Sequence, residues 1–291
     1  MLECGTTNRE PAQTIPKTAA RFDPRRIYTV LLIVPLLYGA IRYLPPLAFT
    51  GLVLLAGCLS LLELYRLYFQ AASPALAVSV GLLGCAALIL GPHEPTLIPV
   101  ALLAAVVAVL SIPLVAELSR PERLKEGAII LTGMLYIGLT LSYLVAIRLL
   151  PEGDSLVLFL LLVTWAADTA AYYVGTLYGR RALAPRISPK KTVEGLAGGL
   201  VGATLVAYAA RWWFVPEFSV VDTLVLGVFL TFVGLWGDLA ESCMKRSVGV
   251  KDSGGLLPGH GGMLDRLDSL LFTAPTFYYY VTFMGRVGSH P

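Results

Sequence analysis

The residues best suited to chemistry lie in one stretch near the C-terminal end of the chain, from Ser242 to Asp268. Basic side chains open this stretch, a glycine-rich segment follows, and a D-R-x-D sequence closes it. Glycine lets backbone N–H groups approach an anion closely, and lysine and arginine pair with phosphate oxygens. Carboxylates spaced i, i+3 share one helix face and can hold a hard cation such as Mg²⁺. The stretch therefore predicts a site for a nucleotide phosphate.

Each part of the stretch supplies candidate residues. The basic side chains expected to bind substrate phosphates are Lys245, Arg246, Lys251 and Arg266. The glycine-rich turn adds His260, Gly261 and Gly262. His260 suits a metal ligand, a phosphate donor or a hydrogen bond that shapes the loop, and zinc is not expected because no cysteine lies nearby. Among the closing carboxylates, Asp268 is a candidate catalytic residue.

Carboxylates also lie inside apolar segments, where ionisable residues are costly and usually functional. Asp168 occurs in W-A-A-D-T, and Asp238 and Glu241 occur in W-G-D-L-A-E-S. A short connection between the last two apolar segments can bring Asp238 against Asp265, and we predict that this pair is catalytic and holds a metal ion. The alternative is that these carboxylates form buried ion pairs with Arg266 or Lys245. We also expect Asp168 to contact substrate.

A second basic segment reads G-R-R-A-L-A-P-R-I-S-P-K-K-T-V-E-G. Ser188, Lys190 and Lys191 directly precede an expected helix start at Thr192, and Glu194 favours the N-terminus of that helix. Helix N-termini beside lysines bind phosphates well, so we predict catalytic roles for both lysines and substrate contacts for Ser188 and Glu194. The alternative is a basic loop that serves only to orient the chain in a membrane.

The composition indicates a polytopic membrane protein. Of the 291 residues, 56% are hydrophobic and only 14% are charged, whereas a soluble domain carries about 25% charged residues. Apolar runs of this length that do not alternate are typical of membrane helices. We predict an all-α fold with about nine spans, at Ile27–Leu44, Pro46–Phe69, Ala75–Gly91, Thr96–Glu117, Gly127–Leu150, Ser155–Tyr178, Thr192–Trp213, Val220–Met244 and Leu267–Met284.

Only Pro45 and Pro46 separate the first two segments, so a count of eight spans stays open. We divide the chain into a polar N-terminal extension that lacks apolar periodicity, N-terminal helices and a C-terminal catalytic region. Their bounds are 1–26, 27–150 and 151–291. The extension is expected to be disordered.

Basic residues set the expected orientation. With the N-terminus in the cytoplasm, 18 of the 22 lysines and arginines fall on the cytoplasmic side. We therefore expect a multi-pass protein of the inner (cytoplasmic) membrane, with its site facing the cytoplasm. The partners expected there are lipid and nucleotide, and nucleic acid is not among them.

The stretch resembles the signature of phosphatidate cytidylyltransferases, also called CDP-diacylglycerol synthases. The fixed positions of that signature correspond here to Ser242, Lys245, Arg246, Lys251, Asp252, Gly254, Leu257, Pro258, His260, Gly261, Gly262, Asp265, Arg266 and Asp268. The resemblance extends upstream to S-P-K-K-x-x-E-G and G-D-x-x-E-S, and it covers roughly the last 130 residues. It implies that CTP and phosphatidate react to give CDP-diacylglycerol and pyrophosphate. It further implies Mg²⁺, K⁺ as a second cation, and a homodimer.

Two other classes were weighed against this one. The first contains related membrane enzymes that use CTP, such as a polyprenol kinase or an archaeal-type lipid cytidylyltransferase. The second is a transporter that moves protons or cations along the membrane carboxylates. A transporter would more often show interrupted spans in two corresponding halves, whereas the ionisable residues here crowd into the C-terminal third.

Overall fold

The computed structural model describes residues 24–69, 75–115, 122–254 and 262–284. This part of the chain is almost entirely helical, which confirms the all-α fold class. Its helices are α1 (Pro24–Tyr43), α2 (Pro46–Tyr68), α3 (Ala75–Leu90), α4 (Leu97–Val115), α5 (Glu122–Gly133), α6 (Thr140–Leu149), α7 (Gly153–Tyr178), α8 (Val193–Trp213), α9 (Val220–Ser247) and α10 (Leu264–Phe283). A π-helical stretch, Met134–Leu139, joins α5 to α6 without a break.

The helices identify a multi-pass membrane protein. Within the described ranges, five stretches are long and apolar enough to cross a membrane, and they are Pro46–Tyr68, Lys125–Leu149, Gly153–Tyr178, Val193–Trp213 and Val220–Ser247. Each of the nine predicted segments overlaps a helix or, for the fifth, the continuous run from α5 to α6. The prolines do separate α1 from α2. How many of these helices cross the bilayer stays a prediction.

Most of the predicted N-terminal extension, residues 1–23, lies outside the described residues. The helix α1 begins at Pro24, just before the predicted start of the first apolar segment. Proline suits the first turn of a helix because the N–H that it lacks would be unpaired there.

The basic segment between α7 and α8 forms a hairpin that the sequence did not predict. Strands β1 (Ala182–Ala184) and β2 (Ser188–Thr192) pair antiparallel. β2 runs directly into α8, and the Thr192 hydroxyl accepts a hydrogen bond from the Gly195 N–H at 3.0 Å. The predicted helix start at Thr192 is therefore confirmed. Lys190 and Lys191 lie on β2 itself, so the strand fixes their direction.

Small residues let α7 and α8 pack closely. A Cβ added at Gly198 would lie 2.5 Å from Cβ of Val174, and one added at Gly202 would lie 2.5 Å from Cβ of Ala170. Glycine at such positions lets two membrane helices approach each other. The close pairing brings the last turns of α7 and the first turn of α8 to the same end of the bundle.

Helices α9 and α10 run antiparallel. The Tyr280 hydroxyl, near the end of α10, donates to Asp222 in the first turn of α9 at 2.8 Å. Close by, Phe277 of α10 stacks on Phe159 of α7, with ring centroids 5.6 Å apart. Fixing the helices at this end places the last turns of α9 beside the first turns of α10, where the candidate residues lie.

Candidate active site

Three carboxylates meet where α9 ends and α10 begins. Asp238 and Glu241 lie one turn apart on α9, and Asp268 comes from the second turn of α10. The three residues can each direct one oxygen so that these atoms lie within 4.8 Å of one another. Gly237 permits this, since a Cβ there would lie 2.5 Å from the Asp268 carbonyl oxygen. Asp238 was predicted because it is an acid inside an apolar helix, and the structure places it beside two further carboxylates.

Two more elements contribute to the same cluster. Lys191 on β2 forms an ion pair with Asp238. Asp168 on α7 interacts electrostatically with Asp238 and Lys191. Four elements distant in sequence therefore converge on one group of carboxylates.

A lysine connects Glu241 of the cluster to a further carboxylate, Asp265. Lys245 Nζ lies 2.8 Å from a carboxylate oxygen of Glu241 and 2.5 Å from one of Asp265. The other oxygen of Asp265 accepts from the backbone N–H groups of Ser253 at 3.2 Å and Gly262 at 2.9 Å. Both oxygens of Asp265 are thus occupied by protein donors.

The described residues group Asp238 with Glu241 and Asp268 rather than with Asp265. The ion-pair alternative weighed from the sequence does describe Asp265 and Glu241, through Lys245. Asp238 also forms an ion pair, but its partner is Lys191 of the distant hairpin, which that alternative did not include. A metal role for the pair Asp238 and Asp265 stays a prediction.

The remaining basic candidates are exposed at the surface. Lys190 and Lys251 are exposed, and so is Arg266. Arg246 donates to the Val250 carbonyl oxygen at 3.0 Å, which holds the end of α9. These side chains are placed where an incoming phosphate could reach them.

Several predicted residues have local partners or lie beyond the described ranges. Glu194 accepts from the backbone N–H groups of Arg180 and Arg181 at 3.0 and 3.2 Å, so it ties the start of α8 to the end of α7. Ser188 begins β2. The roles predicted for His260 and Gly261 fall outside the described residues.

Sequence reasoning missed two residues close to the site. Glu63 on α2 is only 3% exposed and contacts the start of α10. It lies in an apolar run, L-L-E-L-Y, so the rule that singled out Asp168 would also have found it. Tyr136 lies in the π-helical stretch and interacts electrostatically with Glu241 and its neighbours. No pattern in the sequence marks a π-helical stretch, although such stretches often occur at functional sites.

The carboxylate cluster fits a hard divalent cation. Mg²⁺ prefers oxygen ligands and is usually held by one or two carboxylates together with substrate phosphates. Within the part of the chain that the structure describes, one oxygen of Glu241 is buried without a hydrogen-bond partner. A buried polar atom left unpaired is costly, and a bound cation would satisfy it.

The fold and the site together define a multi-pass membrane protein with a lysine–carboxylate centre at one end of its helices. The chain belongs to the Cytidylyltransferase family, whose model matches residues 24–284.

Curated relatives agree with this membership. The chain is 43% identical over 155 residues to the phosphatidate cytidylyltransferase of Bacillus subtilis (53% of this chain, 58% of that protein). It is 46% identical over 134 residues to the phosphatidate cytidylyltransferase of Synechocystis (46% of this chain, 45% of that protein). It is 45% identical over 131 residues to the uncharacterized protein YnbB of Escherichia coli (45% of this chain, 44% of that protein). The matches thus span about half the length of these relatives.

Proposed function

We propose that this protein transfers the cytidylyl group of CTP to phosphatidate and releases pyrophosphate, giving CDP-diacylglycerol. The observation that carries the proposal is the convergence of Asp238, Glu241 and Asp268 with Lys191 and Lys245 at one end of a membrane bundle. Family membership and the names of two relatives support the same reaction. The product serves membrane phospholipid synthesis.

The reaction requires little acid–base chemistry. A phosphate oxygen of phosphatidate attacks the α-phosphorus of CTP, a new P–O bond forms, and the bond to the β-phosphate breaks as pyrophosphate leaves. The lipid phosphate is already anionic at neutral pH, so a strong general base is not needed. The protein must instead position the reactants in line and neutralise their charge.

The chain's own cations can do this. Lys191 enters the cluster from the hairpin, and Lys245 enters from the last turns of α9. Their carboxylate partners hold them in place until a phosphate oxygen competes for the ammonium group. Exposed Lys190, Lys251 and Arg266 are placed to bind the outer phosphates.

We propose that Asp238, Asp268 and Glu241 hold Mg²⁺, because their oxygens lie within 4.8 Å of one another. Asp265, the partner of Asp238 predicted from the sequence, is the alternative ligand. When bound, Mg²⁺ would neutralise negative charge on the reacting phosphates. K⁺ as a second cation is part of the same proposal, and it rests on the resemblance alone.

The setting is proposed to be the inner membrane, with the site on the cytoplasmic face, where CTP is found. The excess of basic residues on the same side as the site supports this orientation. Acyl chains would stay in lipid while the phosphate head group enters between the helices. A homodimer is proposed from the resemblance.

The test is to follow two positions of labelled CTP with purified protein, phosphatidate micelles and Mg²⁺. Label at the α-phosphate should enter the lipid, while label at the γ-phosphate should leave as pyrophosphate. A lipid kinase gives the opposite result, with γ-label in the lipid. A transporter incorporates neither label, and either of these outcomes would overturn the proposal. Replacing phosphatidate by a polyprenyl phosphate or an ether-linked archaeal-type lipid tests the related substrates.

A further inference from the structure

Glu63 is a buried carboxylate on α2 that reaches across to the catalytic segment. Its Oε2 accepts from the backbone N–H of Leu264 at 2.9 Å and from the hydroxyl of Ser253 at 3.4 Å. These partners lie about 200 residues further along the chain. The N-terminal helices are thereby connected to the region that carries the chemistry.

The contact with Leu264 caps a helix that has no cap of its own. Met263, at the N-cap position of α10, makes no side-chain hydrogen bond to the helix. The first N–H groups of a helix have no partner within it, and a carboxylate there also interacts favourably with the helix dipole. Glu63 supplies that acceptor from another helix, and α10 carries Asp265 and Asp268 in its first two turns.

Glycines leave room for this carboxylate. A Cβ added at Gly254 would lie 3.0 Å from Oε1 of Glu63, and one added at Gly262 would lie 2.5 Å from Oε2. Gly262 also donates its N–H to Asp265 at 2.9 Å. Glu63 and Asp265 therefore hold the same two short segments, one around Ser253 and one from Gly262 to Leu264.

A carboxylate is a costly choice for this position. Oε1 of Glu63 is buried without a hydrogen-bond partner among the described residues. Leaving a buried polar atom unpaired is destabilising, and more so when the group is charged. Helix capping alone could be supplied at lower cost by a serine or aspartate at the helix's own N-cap. The arrangement favours a role in placing the segments that Glu63 holds.

We propose that Glu63 is a positioning residue, and this inference rests on the proposed function. It fixes the Ser253 and Gly262–Leu264 segments so that Asp265 holds Lys245 and the first turns of α10 present Asp268 to Asp238. It acts through these backbone groups and has no contact with the reacting atoms. The N-terminal helices therefore take part in the reaction geometry.

The test compares Glu63→Ala and Glu63→Gln with Ser60→Ala. Ser60 is a matched control because it is equally buried one turn earlier on α2 and donates only to Ala56 of its own helix, at 2.8 Å. Residues that orient functional groups typically contribute about 10- to 100-fold. We expect Glu63→Ala to lower kcat about tenfold or more, Glu63→Gln less because its amide oxygen still accepts from Leu264, and Ser60→Ala not at all.

Hydrogen exchange supplies a readout that needs no turnover. Peptides covering 250–270 should exchange faster in Glu63→Ala, while peptides from α7 and α8 stay as in the wild type. Ser253→Ala should add little to Glu63→Ala, because both remove the same contact. Glu63 variants with wild-type kcat and wild-type exchange would overturn the proposal. So would faster exchange throughout the chain, with kcat per folded molecule unchanged.

If the wild type does not transfer the cytidylyl group, the proposed function fails. The exchange experiment still decides whether Glu63 holds the segment. If Glu63→Ala does not fold, Glu63→Gln carries both measurements, with smaller expected changes in the same direction.

Discussion

The two ends of the helix bundle use charged side chains in different ways. One end is called the arginine end here because Arg42 and Arg148 lie there. Arg42 lies 2.5 Å from Asp154 and donates to the Ser155 hydroxyl at 3.1 Å, and Arg148 donates to the Leu44 carbonyl oxygen. At the other end, which is called the carboxylate end here, five carboxylates lie around two lysines. These residues are Asp168, Asp238, Glu241, Asp265, Asp268, Lys191 and Lys245.

The difference separates a structural ion pair from a binding site. Asp154 has an arginine of its own and begins α7, where an acidic residue also favours the helix N-terminus. At the carboxylate end, acids outnumber the paired lysines. Among the described residues, oxygens of Glu63, Tyr136 and Glu241 are buried there without hydrogen-bond partners, whereas the arginine end has one such atom, Nε of Arg148. Such a cluster is expensive to assemble unless a cation and a substrate complete it. Function is therefore expected at the carboxylate end.

The largest expected difference between the two ends comes from neutralising carboxylates at each of them. Asp238→Asn and Asp268→Asn should each lower the rate about a hundredfold or more, as loss of a charge-stabilising group typically does. Asp154→Asn should leave the rate per folded molecule within about twofold, because its partner lies at the arginine end. Initial transfer of α-labelled CTP into lipid measures all three. Equal losses in Asp154→Asn and Asp238→Asn would remove the distinction between the ends.

Lysine at the carboxylate end provides the next test. Lys191→Gln should lower the rate about 10- to 100-fold, since hydrogen bonds to charged groups contribute about 1.5–3 kcal/mol. Arg186→Gln is the control, because Arg186 is exposed in the turn of the same hairpin. Rates are measured against both CTP and phosphatidate. If Lys191→Gln keeps the wild-type rate, as the control should, the hairpin serves only to orient the chain.

A smaller effect is expected from Tyr136. Tyr136→Phe removes a buried hydroxyl that has no hydrogen-bond partner in the described ranges. The thermal midpoint should therefore stay the same or rise. The rate should fall about two- to tenfold if the hydroxyl serves the bound substrate, since a neutral hydrogen bond contributes about 0.5–1.5 kcal/mol. A lower midpoint with an unchanged rate would make Tyr136 a structural residue.

The smallest effect on rate belongs to the arginine end. Arg42→Gln should lower the thermal midpoint by a few degrees, because a partly exposed ion pair contributes about 1 kcal/mol or less. It should leave kcat per folded molecule unchanged. Thermal scans and initial rates of the same preparation check this. A loss of rate without a loss of stability would show that the arginine end also serves the reaction.

Much of the fold could be predicted from the sequence. Apolar length located every helix, and prolines marked the break between α1 and α2. The basic hairpin was not predicted, since its strands are short and its residues are those of any positively charged loop. The π-helical stretch was not predicted either, because it depends on packing between helices rather than on local composition.

The sequence indicated which residues lie near one another, but it did not indicate which carboxylates face each other. The acids and lysines near the C-terminal end do converge, as their spacing indicated. Which carboxylate faces which was set by how α9 and α10 approach each other at Gly237, a tertiary contact that spacing along one helix does not determine. Glu63 was missed because its partners are distant in sequence, although its place inside an apolar run gave a usable signal.

Cation binding without turnover tests the central claim most directly, namely that Asp238 and Asp268 at the carboxylate end hold the metal. Mn²⁺ can stand in for Mg²⁺ because both prefer oxygen ligands. Titrating Mn²⁺ into purified protein, followed by electron paramagnetic resonance, should show a site in the wild type. That site should weaken strongly in Asp238→Asn and Asp268→Asn, and remain in Asp154→Asn and Asp265→Asn. Loss in Asp265→Asn with retention in Asp268→Asn would contradict the account and make Asp265 the partner of Asp238.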